Sequence, residues 1–298
     1  MRPVVALVEA RPETILDDYR RLLGLAGLDV RDSRPLTLMT PGERDCPGFL
    51  APPWQVDGVL RALGAGTWAD VSGRAASGAV ALDTPSARTE PGSGRAIVAP
   101  GRQGLLLAAP VLEAGWGIRG AVALAWRFGG LGATFPRGTL LPDLARLLRG
   151  PAGADALLGA VLDGVHWGVG AGTLGKGYVR RNTLIAGADP VAVDAVGAVL
   201  AGMDPLQIPW LRHCHDLGLG TADPGRIRIA GHADLLGDSF AGWKFAGKNP
   251  GGRLSLSRVR EGLWKAWRRP RLLKSYGESP WGRLDHLYRS GRFPEEVR

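Results

Sequence analysis

The stretch Asn182-Thr-Leu-Ile-Ala-Gly-Ala-Asp-Pro-Val-Ala-Val-Asp-Ala-Val-Gly-Ala-Val-Leu200 decides the fold class. Thr183 to Ala186 is a short, mostly apolar run bounded by turn residues, and reads as a buried strand. Asp189 then offers a carboxylate to the first free N–H groups of a helix, and Pro190 suits the first helical position because its missing N–H would have no partner there. A helix over Pro190 to Leu200 is therefore predicted. Strands alternating with such helices are the pattern of an α/β fold.

Working outward, Val4 to Val8 reads as a first buried strand, and Glu13 to Leu25 as a helix with Ile15, Leu16, Tyr19, Leu22 and Leu23 on one face. Gly27 is a plausible stop. Leu36 to Met39 is a short apolar run, and Thr40 to Pro53 reads as a loop. Pro53 opens a helix to about Leu63. Residues 64–95, made largely of Gly, Ala, Ser and Thr, form the least structured part. Strands are expected at Ala96 to Ala99 and Leu105 to Ala109, and a helix at Leu140 to Leu148. Leu157 to Leu162 reads as a buried strand that ends at Asp163-Gly164, before a glycine-rich loop. Asp204-Pro205 repeats the capping signal and predicts a helix from Pro205 to Leu217, with Ile227 to Ala230 as a last strand. The expectation is an α/β protein: a mixed, partly parallel sheet, helices on both faces, and a basic helical C-terminal extension.

With 298 residues, 45% hydrophobic and 22% charged, the chain can bury a sizeable core. That composition excludes a disulfide-stapled miniprotein, a fibrous repeat and a disordered chain. The net charge of +9 lies wholly beyond residue 243, where 14 Lys/Arg face 5 Asp/Glu. The chain therefore divides into a neutral body, 1–243, and a basic segment, 244–298. In that segment Leu256, Val259, Leu263 and Trp267 share one helical face. The segment can dock onto the body or a sister subunit, lie on an anionic membrane surface, or recruit an acidic partner. Nucleic acid is the least favoured partner, since mixed aromatic and basic residues are not specific for it. No apolar run reaches transmembrane length. The two cysteines, Cys46 and Cys214, form no C-x-x-C pair, so no iron–sulfur cluster held by this chain alone is expected. Sparse cysteine and an N-terminus unlike a signal peptide point to the cytoplasm.

Three places carry candidate chemistry. The loop Gly168 to Gly177 holds the pattern G-x-x-x-x-G-K, from Gly170 to Lys176. Gly177 stands where a phosphate loop needs Ser or Thr, and a strand rather than a helix follows. A looser anion site is therefore expected, made by Gly170, Gly172, Gly175, Lys176, Arg180 and Arg181. Asp163 and His166 are placed at the C-terminal end of a strand, the edge where α/β sheets bind ligands, with His166 able to act as acid or base. Asp194 is the one polar residue on an otherwise apolar helix, so its carboxylate demands compensation, either from a ligand-binding cavity or from loop amides it ties together. The expected site is one cleft at the strand ends, lined by Asp163, His166, Lys176, Arg181 and Asp194 and holding a small anionic molecule. His213, Cys214 and His215 sit on a predicted helix where residues two apart diverge, which argues against a shared metal.

The stretch from Leu157 to Gly231 resembles domain-of-unknown-function family 362, through Val161-Leu-Asp-Gly164, Asn182 to Ala195, Gly202-Met-Asp-Pro205 and Gly218-Leu-Gly220. Pro53-Trp-Gln-Val-Asp-Gly-Val-Leu60 also resembles a segment of one branch of that family. The resemblance implies a cytoplasmic α/β protein, and a link to redox metabolism through relatives that carry ferredoxin-like modules. This chain lacks those cysteines and several of the polar groups. The same pattern suits a non-catalytic, divergent paralogue that binds a partner through its basic C-terminal segment.

Overall fold

The computed structural model describes residues 2–29, 36–40, 47–49, 51–64, 67–70, 103–113, 117–128, 157–170, 177–237 and 269–290. The expected elements at Ala96 to Ala99 and Leu140 to Leu148 and the Leu256 to Trp267 stripe lie outside these residues, as do Cys46, Gly172, Gly175 and Lys176.

The apolar runs pair into one mixed sheet. Its strands are β1 (Val4–Glu9), β2 (Leu36–Thr40), β3 (Thr67–Asp70), β4 (Gln103–Ala108), β7 (Leu157–Val169), β8 (Gly177–Gly187) and β9 (Arg228–Gly231), in the order β3-β2-β4-β7-β8-β1-β9. All neighbours run parallel except β8, which is antiparallel to both β7 and β1. A small hairpin, β5 (Val111–Glu113) with β6 (Gly117–Arg119), leans on the far end of β7.

Helices cover both faces. On one, α1 (Ile15–Ala26), α2 (Pro53–Leu63) and α7 (Pro280–Arg289) bury Tyr19, Leu22, Trp54, Val59, Trp281, Leu284 and Tyr288 with Val161 and Val165 of β7. On the other, α3 (Ala121–Phe128), α4 (Pro190–Leu200) and α5 (Pro209–Asp216) pack against Leu162, Trp167 and Ile185. Another helix, α6 (Arg269–Glu278), precedes α7. The expected α/β architecture, with a mixed sheet and helices on both faces, is the observed one.

Local signals explain most element bounds. Asp189 accepts hydrogen bonds from the amides of Val191 and Ala192 and so caps α4. Asp204 caps only a 3-10 turn, Pro205–Gln207. The helix expected through to Leu217 is broken at Ile208, whose ψ of 112° is extended. The cause is Pro209, which disfavours helical backbone in the residue before it and opens α5 as a separate helix.

One expectation, about β7, is revised, and of the readings of the C-terminal segment, docking onto the body is the one observed for its described end. β7 does not end at Asp163-Gly164 but continues to Val169, because β8 pairs with it through the glycines. The described end of the basic segment is built into the body: Trp281 and Tyr288 are 1% exposed and belong to the core beneath α1 and α2.

Candidate functional site

Asp163 and His166 come to one face of the sheet because of a slip in the ladder. β4 ends at Ala108, opposite Leu162, and β1 ends at Glu9, level with Thr183 and Gly164. Beyond that level β7 and β8 continue as a two-stranded ribbon, backed near its tip by Val111 and Leu112. At the base of the ribbon, Gly164 pairs with Thr183 but His166 pairs with Arg180, so Val165 alone opposes Arg181 and Asn182. Asn182 takes up the extra residue with φ of 51°, and is the single non-glycine at positive φ among the described residues. In a regular strand, residues 163 and 166 would point to opposite faces. Here both address the face covered by α1, α2 and α7.

Asp163 is held by three donors. The Tyr19 hydroxyl and the Trp54 indole N–H donate to its Oδ2 at 2.7 and 2.8 Å, and the Val165 amide donates to Oδ1 at 3.0 Å. None of these carries a charge, so burial dominates and pushes the carboxyl up to about 6, against the lowering pull of the three hydrogen bonds. His166 is boxed by edge-on aromatic rings: Tyr178 at 4.8 Å, Tyr276 at 5.2 Å and Trp281 at 6.5 Å between centroids. Burial, and then the nearby charge of Arg180, lower its pKa to about 4. At neutral pH the pair is thus a largely ionised carboxylate and a neutral imidazole.

The C-terminal helices close this cluster. The Trp281 ring lies 5.3 Å from that of Trp54, and its indole N–H donates to Asn182 Oδ1 at 3.0 Å. The Tyr288 hydroxyl donates to buried Asp57 of α2 at 2.7 Å, and Arg61 reaches the other oxygen of that carboxylate. Beside them the Gln55 side-chain amide donates to the carbonyls of Val161 and Ala108, at the buried end of β4, while its buried Oε1 has no hydrogen-bond partner among the described residues.

Asp194 does not join this cluster. It lies on the opposite face of the sheet, fully buried in α4, and accepts from the amides of Ala121 and Val122 at 2.7 and 3.0 Å. It is a cap for α3 supplied from 72 residues away, so the compensation its burial demands comes from backbone amides. Burial pushes its carboxyl up to about 7. Gly120 makes the approach possible, because a Cβ there would collide with Asp194 Oδ1. The expected single cleft shared by Asp163, His166, Lys176, Arg181 and Asp194 is corrected: the sheet separates Asp194 from Asp163 and His166.

Of the expected anion contacts, Arg180 is exposed on the ribbon opposite His166, Arg181 is half-buried at the slip, and Gly170 lies just past β7. Among the described residues no cluster of His, Cys, Asp and Glu is arranged to hold a metal ion. Cys214 is buried in α5, and burial pushes its thiol up to about 12, so it packs and does not react. No helix among the described residues is long and apolar enough to cross a membrane.

Sequence reasoning passed over Tyr19, Trp54, Asn182, Tyr276 and Trp281 as site residues. Trp54 lies inside the Pro53 to Leu60 segment singled out by resemblance, and Asn182 opens the stretch that decides the fold. The aromatic contacts of α6 and α7 arise from packing across the chain and leave no local signal. Comparison with known proteins found no family model, no curated protein and no solved structure that matches the chain.

Proposed function

We propose that this protein binds a small anionic molecule at the C-terminal edge of its parallel strands, on the ribbon formed by β7 and β8. The observation that carries the reading is the ladder slip at Val165, which turns His166 toward the same face as Asp163 and sets it opposite Arg180. Strained backbone and bulges of this kind re-aim side chains next to functional sites. In this reading Arg180 supplies the charge, with Arg181 next to it in β8. Neutral His166 supplies a hydrogen bond whose direction does not change across the physiological range. Asp163 ties β7 to α1 and α2 through Tyr19 and Trp54. Family 362 and a redox-related substrate remain compatible proposals, supported by the motifs alone.

The test is isothermal titration with inorganic phosphate and simple phosphate esters, beside native mass spectrometry of the protein as purified. Saturable binding that Arg180→Ala weakens about tenfold or more supports the reading, as expected for one charge-assisted contact. Binding unchanged by Arg180→Ala refutes it.

A second reading, recruitment of an acidic partner, is favoured by one observation. The outward side of α6 and α7 exposes Lys274, Arg283 and Leu273, the last 40% accessible. Deleting the segment cannot test this, since α7 fills the core. Charge reversal at Lys274 and Arg283, with pull-down of bound protein, does.

A further inference from the structure

Tyr19 and Trp54 share one proton acceptor. The Tyr19 hydroxyl and the Trp54 indole N–H both donate to Asp163 Oδ2, at 2.7 and 2.8 Å. The two rings, from α1 and α2, are 0% and 1% exposed and lie in one core cluster. From Trp54 further rings lead outward. Trp281 of α7 lies 5.3 Å from Trp54 and 6.5 Å from His166, between centroids. His166 in turn lies 5.2 Å from Tyr276 and 4.8 Å from Tyr178, and those tyrosines are 6.1 Å apart. Both are half-buried, and Tyr178 stands two residues before exposed Arg180 in β8. Phenol and indole are the side-chain rings that lose one electron most readily, and each becomes a strong acid when it does. A base must then take the proton. Asp163 is that base for both rings: it is largely ionised at neutral pH, and burial, which lifts its carboxyl to about 6, strengthens it as an acceptor.

From these contacts we propose a further activity: the rings form a one-electron path between the ribbon and the core, and the path ends in a radical on Tyr19 whose proton is held by Asp163. A one-electron oxidant at the ribbon draws the electron outward. Tyr19 supplies it, the Tyr19 O–H bond breaks, and the proton forms an O–H bond at Asp163 Oδ2. The products are a neutral tyrosyl radical, a protonated Asp163 and the reduced oxidant. Trp54 and Trp281 pass the electron on and end unchanged, and His166 bridges Trp281 to the two tyrosines. Burial favours this end point, because a neutral radical beside a neutral acid replaces an ionised carboxylate in the core. Returning the electron brings the proton back to Tyr19. The activity stands apart from anion binding and does not require it.

The experiment oxidises the full chain with photogenerated tris(bipyridine)ruthenium(III) and reads the product by freeze-quench electron paramagnetic resonance. The chain has 4 tyrosines, so Phe variants assign the signal. The wild type is expected to give a long-lived tyrosyl signal that is lost in Tyr19→Phe and kept in Tyr288→Phe. Tyr19→Phe removes one hydroxyl and leaves Asp163 its bonds from Trp54 and Val165, and circular dichroism checks that each variant is folded. Asp163→Asn keeps an acceptor oxygen for both rings but takes no proton, and Trp281→Phe keeps a ring in the core that is far harder to oxidise. Each is expected to lose the signal. In heavy water the wild-type signal should form more slowly, since a proton moves with the electron. A tyrosyl signal that Tyr19→Phe leaves unchanged overturns the proposal. So does a Tyr19 signal that survives Asp163→Asn or Trp281→Phe, or a wild type that yields no tyrosyl radical.

Discussion

Replacing Asp194 by Asn should make the protein's stability less dependent on pH, by an amount the structure sets. The carboxylate is fully buried, accepts from two amides at the start of α3, and has its pKa pushed from 3.8 to about 7 by burial. A carboxyl whose pKa is raised on folding holds its proton more tightly in the native state. Its contribution is fully present below the unfolded value and is lost as pH rises through the folded value. At 1.36 kcal/mol per unit, going from about pH 5 to about pH 8 should remove ~2–3 kcal/mol from the wild type. In Asp194→Asn that titration is absent. The amide nitrogen turned toward one of the α3 amides adds a pH-independent cost of about 1–3 kcal/mol. Asp163 and His166 titrate in both proteins and cancel in the difference. Urea unfolding of both proteins at the two pH values measures the gap directly. The wild type should be the more stable at pH 5, and its advantage should shrink by ~2–3 kcal/mol by pH 8. A gap that stays constant would mean the carboxylate titrates as an exposed one does, and the buried cap would be wrong.

Four further outcomes follow from the same contacts. Gly120→Ala pushes Asp194 Oδ1 off the α3 amides, and thermal unfolding should report a loss of about 2–4 kcal/mol, with Asp194→Asn partly masking it in the double variant. Trp281→Ala removes a ring packed on Trp54 and the donor to Asn182, and should cost about 3–5 kcal/mol in urea, whereas Tyr288→Phe, which leaves Asp57 with Arg61, should cost about 1–2 kcal/mol. Trp54→Phe keeps the aromatic body but deletes a donor to Asp163, so carboxyl-carbon NMR should find that pKa above the value of about 6 held in the wild type. Arg180→Ala, at an exposed position, should leave stability within about 0.5 kcal/mol while weakening phosphate binding.

The sequence carried the elements whose cause is local. Asp189-Pro190 marks the start of α4 and Pro53 the start of α2, because a cap and a proline act within one turn. The solvation argument at Asp194 correctly required partners, but those partners are amides at 121 and 122, brought close only by the fold. β7 was read too short because Gly164 and Gly168 look like a loop. Both stand in register with β8, opposite Thr183 and Tyr178, and the Gly168 amide donates to the Pro110 carbonyl beside β5, so pairing overrides the weak strand preference of glycine. Pro209 was a readable signal for the break before α5. The placement of α7 was half legible: Trp281, Leu284 and Tyr288 share one helical face, but which surface they cover depends on Trp54, more than two hundred residues away. The site follows the same division. Asp163, His166 and Arg180 could be named from a strand and its loop, while the slip that joins them depends on pairing, which no single stretch encodes.

The most direct measurement is a phosphate titration followed by NMR of labelled histidine and arginine side chains. The account predicts saturable shifts confined to His166 and Arg180 and their ribbon neighbours, and lost in Arg180→Ala. Shifts spread evenly over the exposed arginines, with His166 unmoved, would contradict it.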